Sequence, residues 1–168
     1  EFSLFLEYWI VFLAIFMVFL VGLLDDNKDA SPRAKFYVIF LATFLLFLDD
    51  ISIYSLGVFL GFDLKLWYLA LPFTMFALAG FTNALNLIDG LDGLAGTISL
   101  VILSTFLYIG YINNDNLIVT LCLFSMTSIL AFLIFNWNPA DIFMGDSGSL
   151  FLGFVISVIA VISLKYIH

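Results

Sequence analysis

Residues 66–112 read "LWYLALPFTMFALAGFTNALNLIDGLDGLAGTISLVILSTFLYIGYI", and this stretch decides the fold. Two apolar blocks, 66–82 and 94–112, flank a segment that is rich in glycine, asparagine and aspartate. Each block is close to the roughly 20 residues that a helix needs to cross the hydrocarbon core of a bilayer. The pattern predicts two membrane-spanning helices that are joined by a polar loop at the membrane surface.

The same pattern continues along the rest of the chain, whose further apolar blocks are 8–24, 36–48, 117–135 and 150–167. Hydrophobic residues make up 64% of the 168 residues and charged residues 11%, whereas a soluble domain has about a quarter of its residues charged. The block at 36–48 is short, so its helix is expected to recruit residues 32–35, and Pro72 is expected to kink the helix over 66–82. We therefore predict one all-α domain over residues 1–168, a polytopic helical membrane protein with about six transmembrane helices.

Charge and cysteine content exclude several classes of protein. The formal net charge of -8 argues against a nucleic-acid partner and against a polybasic lipid-binding face. The single cysteine, Cys122, offers neither a disulfide nor a metal site. Because the chain lacks an initial methionine and stops just after an apolar block, we expect it to be the central fragment of a longer protein.

Crossing the membrane at each block brings three polar loops to the same side, at residues 25–35, 83–93 and 136–149. Three of the five basic residues are on that side: Lys28, Arg33 and Lys35. The excess of positive charge predicts that this side is cytoplasmic. On the opposite side, the alternation in "ISIYSLGVF" at 51–59 predicts a short outer β-hairpin.

The three cytoplasmic loops contain seven aspartates: Asp25, Asp26, Asp29, Asp89, Asp92, Asp141 and Asp146. Taken one at a time, the loops also fit a solvated helix end, a plain connection, and a helix capped by Ser147 or Ser149. Taken together, carboxylates without a His or Cys cluster indicate a hard cation, Mg²⁺ or alternatively Mn²⁺. Such a cation lets an acidic site accept phosphate, so the pattern favours phosphoryl transfer.

Three long motifs then indicate a family. Residues 23–35 ("LLDDNKDASPRAK"), 83–96 ("NALNLIDGLDGLAG") and 138–154 ("NPADIFMGDSGSLFLGF") resemble the hallmark motifs of the polyprenyl-phosphate N-acetylhexosamine-1-phosphate transferases. The resemblance implies a membrane enzyme that moves a sugar phosphate from a UDP-N-acetylhexosamine to undecaprenyl phosphate and releases UMP. It further implies a Mg²⁺ cofactor, a bacterial inner membrane with a cytoplasmic active site, and a homodimer as an allowed assembly.

The first motif also points to a branch of that family. Asp29 followed by Ser-Pro-Arg resembles the branch that initiates O-antigen, enterobacterial common antigen or teichoic acid linkage units. The peptidoglycan branch typically has a lysine in place of Asp29. The resemblance therefore implies UDP-N-acetylglucosamine as the donor, with UDP-N-acetylgalactosamine or a rarer acetamido sugar as alternatives.

Roles are carried over by position from the same resemblance. Asp25 and Asp26 match the catalytic acidic pair, and Asp146 matches the magnesium ligand. The residues expected to bind the substrate are Asn86, Asp89, Asp92, Asn136 and Phe143, and those expected to support the site are Asp29, Arg33 and Lys35. The family's later cytoplasmic loop with a His-rich motif has no counterpart before His168, so we expect this chain alone to bind substrate weakly.

Two other functions and a second mechanism are open at this point. A cation transporter or channel predicts carboxylates near helix midpoints, whereas these acids cluster at helix ends. An intramembrane aspartyl protease needs a glycine two residues before its Gly-Asp pair, where this chain has Phe143. For the transferase itself, direct in-line displacement competes with a two-step route through a phospho-aspartate at Asp25 or Asp26.

Overall fold

The computed structural model of the protein describes residues 2–28, 31–59 and 61–166, which form seven α-helices and one two-stranded sheet. The helices are α1 (Phe2–Glu7), α2 (Trp9–Lys28), α3 (Pro32–Leu48), α4 (Ala70–Ile88), α5 (Leu94–Ile112), α6 (Asn116–Asn136) and α7 (Gly145–Ser163). The strands are β1 (Ser55–Phe59) and β2 (Phe62–Lys65). Short 3-10 turns precede α4 at Trp67–Leu69 and follow α7 at Leu164–Tyr166.

Six of these helices match the six apolar blocks. Five of them, α2 and α4 to α7, are long and apolar enough to cross a membrane within the described residues. The sixth, α3, has 17 residues and lies at the short end of the range for a spanning helix, which is roughly 17 to 25 residues. The prediction of a polytopic helical membrane protein is confirmed, with five of the expected six spans long and apolar enough within the described residues. A short hairpin is also confirmed, because β1 pairs antiparallel with β2, but it extends to Lys65, beyond the predicted stretch 51–59.

Helix α7 forms the centre of the bundle. Most of its residues are buried, and Phe154, Ile156 and Ile159 are at most 1% exposed. It packs mainly against α2 and α4 and also touches α5 and α6. The other spanning helices bury a third or less of their apolar windows, so most of their surface is apolar and exposed, as a lipid-facing surface is.

Two glycines allow α7 to lie close to its neighbours. A Cβ at Gly22 of α2 would lie 2.6 Å from the carbonyl oxygen of Asp146 and from the Cα of Ser147. A Cβ at Gly153 of α7 would lie 2.9 Å from the Cα of Thr82 in α4. Small residues at such crossings are the usual means by which membrane helices approach each other.

The helices extend further into the polar motifs than the apolar blocks indicate. Helix α2 continues to Lys28, α4 to Ile88, and α7 begins at Gly145, before the apolar block that starts at residue 150.

The expected kink at Pro72 is wrong: Pro72 stands in the first turn of α4, where a proline removes no helical hydrogen bond. From α2 to α7, successive helices run in opposite directions, so the connections between them lie alternately at two ends of the bundle. We call the end with Asp25, Asn86 and Asp146 the acidic end, and the end with the strands the hairpin end.

Candidate active site

The acidic end is built around the first turn of α7. The first N–H groups of a helix have no partner inside that helix and carry its positive dipole end. The carboxylate of Asp26, in the last turn of α2, accepts hydrogen bonds from two of them, at Asp146 (2.8 Å) and Ser147 (2.9 Å). The cap thus comes from another helix, and the expectation that Ser147 or Ser149 is the N-cap is wrong.

The position of Asp26 depends on a glycine at the start of α7. Gly145 has a φ of +67°, which favours a residue without a Cβ. A Cβ at this position would also lie 3.0 Å from a carboxylate oxygen of Asp26. Gly145 therefore both permits the turn into α7 and leaves room for the carboxylate that caps it.

Asp146 is held from two further helices. The Nζ of Lys35, in the first turns of α3, forms an ion pair with Asp146 and a second one with Asp25 at 2.6 Å. The amide of Asn86, near the end of α4, donates to Asp146 Oδ1 at 2.9 Å and to Ser149 Oγ at 2.7 Å. One carboxylate on α7 is therefore joined by polar contacts to both α3 and α4.

Asp89 lies at the edge of this group, as the C-cap residue directly after α4. Burial, with a smaller contribution from the charge of Asp146, raises the pKa of the Asp89 carboxyl to about 6. The group as a whole contains four carboxylates, on Asp25, Asp26, Asp89 and Asp146, against the one ammonium of Lys35. The site is therefore short of positive charge, which suits a divalent cation.

Asp92 and Asn136 form a second network, which joins two loops. Asp92 Oδ2 accepts hydrogen bonds from Asn138 Nδ2 (3.0 Å) and from the backbone N–H of Ala140 (3.2 Å). The buried side chain of Asn136 accepts from the Gly93 N–H (2.9 Å) and donates to the Ile142 carbonyl (2.8 Å). These contacts fix the loop after α6 against the loop before α5. Both side chains therefore bind backbone groups of these loops.

The predicted site residues therefore fall into three groups. Those that the structure brings together around α7 are Asp25, Asp26, Lys35, Asn86, Asp89 and Asp146. Asp92 and Asn136 belong to the loop network, while Phe143 (76% exposed) and Arg33 are exposed on the same end. Asp29 lies outside the described residues. Sequence reasoning missed Asn138, and its position just before Pro139, in the loop between α6 and α7, is the signal that could have drawn attention to it.

The side-chain oxygens at the acidic end are suitable ligands for magnesium. They are carboxylate and amide oxygens, the ligands that Mg²⁺ prefers. Within the described residues no three His, Cys, Asp or Glu side chains converge on one point. Mg²⁺ needs no such cage, because it is usually held by one or two carboxylates together with substrate phosphates and water.

Comparison with known proteins agrees with the three motifs. The family model described as "Glycosyl transferase family 4" matches residues 8–164. A probable undecaprenyl-phosphate N-acetylglucosaminyl 1-phosphate transferase of Bacillus subtilis is 39% identical over 150 residues, which cover 89% of this chain and 42% of that protein. A phospho-N-acetylmuramoyl-pentapeptide-transferase of Listeria monocytogenes is 34% identical over 166 residues, which cover 92% of this chain and 51% of that protein.

The chain thus spans about half the length of the curated relatives it matches. The family match itself covers nearly the whole chain, including all three motifs and every helix that contributes to the acidic end. The chain therefore belongs to glycosyl transferase family 4, the family of the polyprenyl-phosphate sugar-phosphate transferases to which these relatives belong.

Proposed function

We propose that the protein transfers N-acetylhexosamine 1-phosphate from a UDP-sugar to undecaprenyl phosphate. The reaction forms a polyprenyl diphosphate-linked sugar and releases UMP. In this proposal it is the first membrane step in the synthesis of a cell-envelope polysaccharide.

One observation carries this proposal: Asp25, Asp26, Lys35, Asn86 and Asp146 come from four helices and meet at the N-terminus of α7. This point lies where membrane-spanning helices end, so a lipid phosphate and a water-soluble nucleotide can both reach it. A transporter or channel would instead need carboxylates along a path through the membrane.

Asp146 and Asp25 are the residues that would hold Mg²⁺, because their oxygens already converge on one cationic group, the Lys35 ammonium. The ion would supply neutralisation of the charge that develops on the phosphates. Asn86 orients Asp146 through its amide, and Asp26 fixes the first turn of α7 on which Asp146 stands.

The reaction does not depend strongly on a general base. A phosphate monoester has a second pKa of about 6, so the lipid phosphate is mostly dianionic at neutral pH. One of its oxygens attacks the sugar-linked phosphorus, and the bond between that phosphorus and the UMP oxygen breaks. Lys35 is placed to balance phosphate charge, and we expect positioning and charge neutralisation to contribute more than proton transfer at Asp25 or Asp26.

N-acetylglucosamine is the sugar that we propose. The Bacillus subtilis relative is named for N-acetylglucosaminyl 1-phosphate, whereas the Listeria monocytogenes relative is named for phospho-N-acetylmuramoyl-pentapeptide. The Asp29-Ala-Ser-Pro-Arg stretch of this chain resembles the first kind. A donor that carries a pentapeptide is therefore expected to be a poor substrate.

We also propose that the acidic end faces the cytoplasm. It carries Lys28, Arg33 and Lys35, while Lys65 and Lys165 are at the other end. This bias supports a cytoplasmic position by the positive-inside rule. A cysteine in place of the exposed Arg33 should then react with a membrane-impermeant thiol reagent in broken cells and not in intact ones.

The test uses the full-length protein in detergent with undecaprenyl phosphate, Mg²⁺ and UDP-N-acetylglucosamine labelled in the sugar. We expect label in the lipid phase, stoichiometric UMP, and loss of both when a chelator is added. Asp146→Asn should reduce the rate at least a hundredfold, on the scale of losing one transition-state charge contact. Asp49→Asn, an exposed acid at the hairpin end, should leave the rate unchanged.

The competing outcomes are distinct. Transfer from UDP-N-acetylmuramoyl-pentapeptide in preference to UDP-N-acetylglucosamine would support the proposed reaction but contradict the proposed donor sugar. A folded wild-type protein that yields no lipid product with any UDP-acetamido sugar would reject the transferase function itself.

A further inference from the structure

The hairpin end exposes an unusual amount of apolar surface. Seven large apolar side chains in residues 56–69 are between 47% and 97% exposed: Leu56, Val58, Phe62, Leu64, Trp67, Tyr68 and Leu69. Scattered single apolar residues are normal on a protein surface, whereas a group of this size marks a contact surface. None of the residues of the acidic end takes part in it.

The base of the hairpin is attached inside the bundle. Ser52 Oγ is 2.8 Å from Thr74 Oγ1, and the N–H of Ile53 donates to the same oxygen at 3.0 Å. Thr74 is fully buried and lies four residues into α4, about 6 Å along the helix axis from Ala70. The chain therefore enters the hairpin from a level about one helical turn inside the start of α4.

The hairpin has two unlike faces. Successive residues of a strand point to opposite faces, so Phe62 and Leu64 share one face of β2 while Asp63 and Lys65 share the other. The polar face is internally paired: Lys65 Nζ lies 3.6 Å from Asp63, and the Ser55 hydroxyl donates to the same carboxylate. Its charges cancel, so it offers no net charge to a partner.

An aromatic turn continues the apolar face into α4. Trp67 has a φ of +47°, a strained conformation for a bulky residue, and its side chain is 77% exposed; Tyr68 is 97% exposed. Tryptophan and tyrosine are enriched where a protein crosses from lipid to water. Directly after the turn, α4 exposes Phe73 and Phe76, which belong to its lipid-facing surface.

We propose that the hairpin and the turn at Trp67–Leu69 lie in the interfacial layer of the bilayer, with Phe62, Leu64 and Trp67 inserted among the lipids. The apolar face is continuous with the lipid-facing surface of α4, and its depth is set by the attachment at Thr74. The neutral polar face then points to water, together with Val58, which stands opposite Asp63 in the register. The occupant of this surface is lipid, not a second protein chain.

The test compares four positions of one strand. Nitroxide labels are attached to single cysteines in the variants Phe62→Cys, Asp63→Cys, Leu64→Cys and Lys65→Cys, in a full-length, cysteine-free background. All four side chains are exposed, so the substitutions remove no buried contact. Each variant is reconstituted in phosphatidylethanolamine–phosphatidylglycerol vesicles. The accessibility of each label to oxygen, which concentrates in the bilayer, is compared with that to a water-soluble nickel complex.

The proposal expects an alternating result, in which the ratio of oxygen to nickel accessibility is several-fold higher at positions 62 and 64 than at 63 and 65. A uniformly low ratio would overturn it, because the whole hairpin would then stand in water. Protection of positions 62 and 64 from both reagents would also overturn it, because a protein surface would then cover the apolar face. Both readings are independent of transferase activity.

Discussion

Asp89 is the residue of the candidate site whose surroundings destabilise its ionised form. Burial, and to a smaller extent the Asp146 carboxylate, raise the pKa of Asp89 to about 6. An acid whose pKa is raised on folding binds more protons in the folded state than in the unfolded state between its two pKa values. In the metal-free protein, stability should therefore fall as pH rises from about 4 to about 6, and then stay low.

Asp89→Asn should remove this dependence. At pH 7.5, with a chelator present, we expect the variant to be more stable than the wild type by on the order of 1–2 kcal/mol, since the group is only half-buried. At pH 4 the two proteins should be equally stable, because Asp89 is then protonated in the wild type. Thermal unfolding in detergent across this range measures the difference.

Asp141→Asn is the matched control for Asp89, since Asp141 is an exposed acid at the same end of the bundle. We expect it to change stability by less than about 0.5 kcal/mol at every pH. A gap between wild type and Asp89→Asn that stayed constant from pH 4 to pH 7.5 would show that burial of the charge is not its cause.

Asp89 and Asp92 also show what the sequence could and could not predict at this scale. Both stand in "NLIDGLDG", and the resemblance to the family implied substrate binding for both. The structure gives them different neighbours: Asp89 lies near Asp146, whereas Asp92 accepts hydrogen bonds from Asn138 and Ala140. Spacing cannot predict this, because Asn138 is brought to Asp92 by the packing of α5 against α6.

At the scale of helices, apolar blocks predicted six helices and the bounds of α5, but they missed the ends of α2 and α4 and the start of α7. Helix α4 continues six residues past the block that ends at Thr82, to Ile88. The cause is that neighbouring helices supply partners for polar side chains, as Asp146 does for Asn86. The start of α7 is missed for a related reason, because its cap is Asp26 of another helix and no local sequence signal exists for it.

The crossing of α2 and α7 can be tested at Gly22. An alanine Cβ there would lie 2.6 Å from the carbonyl oxygen of Asp146, a backbone atom that cannot move without shifting the first turn of α7. We expect Gly22→Ala to destabilise the protein by about 1–3 kcal/mol, as overpacking usually does. Because the same shift separates Asp26 from its N–H partners, transfer activity should fall as well.

Gly80→Ala is the control for this substitution, because α4 is open at that position and no atom lies within 4 Å of the added Cβ. Replacing glycine by alanine inside a helix stabilises it by roughly 0.5–1 kcal/mol when nothing clashes. The two variants should therefore change the melting temperature in opposite directions. Equal effects at Gly22 and Gly80 would mean that α2 and α7 tolerate separation.

At the scale of the whole molecule, α7 is fixed at both ends by acids from other parts of the chain. At the acidic end the partner is Asp26. At the hairpin end it is Asp115, which is 8% exposed and precedes α6. Asp115 accepts hydrogen bonds from Leu117 and Ile118 N–H groups, and its other oxygen accepts from Tyr166 (2.8 Å) and pairs with Lys165 (2.9 Å).

This arrangement joins the start of α6 to the end of α7, so its loss should affect the global stability of the bundle. Asp115→Ala removes a helix cap together with the contacts to Lys165 and Tyr166. We expect it to lower the free energy of unfolding by about 2–3 kcal/mol. Asp63→Ala removes the exposed 3.6 Å pair with Lys65 at the same end and should cost less than about 1 kcal/mol.

The pH dependence of the stability difference between wild type and Asp115→Ala distinguishes the contribution of the Asp115 charge from that of packing. Burial alone would raise the pKa of Asp115, but hydrogen bonds from Lys165, the Ile118 N–H and Tyr166 outweigh it and hold the pKa below its ordinary value of 3.8. A carboxyl with a lowered pKa stabilises the folded state above its unfolded pKa, and this contribution is lost as pH falls through the folded value. The gap between wild type and Asp115→Ala should thus be constant from pH 8 down to about 4 and narrow below it. If thermal unfolding shows a gap that does not narrow, the charge of Asp115 contributes nothing, and its effect comes from uncharged hydrogen bonds and packing.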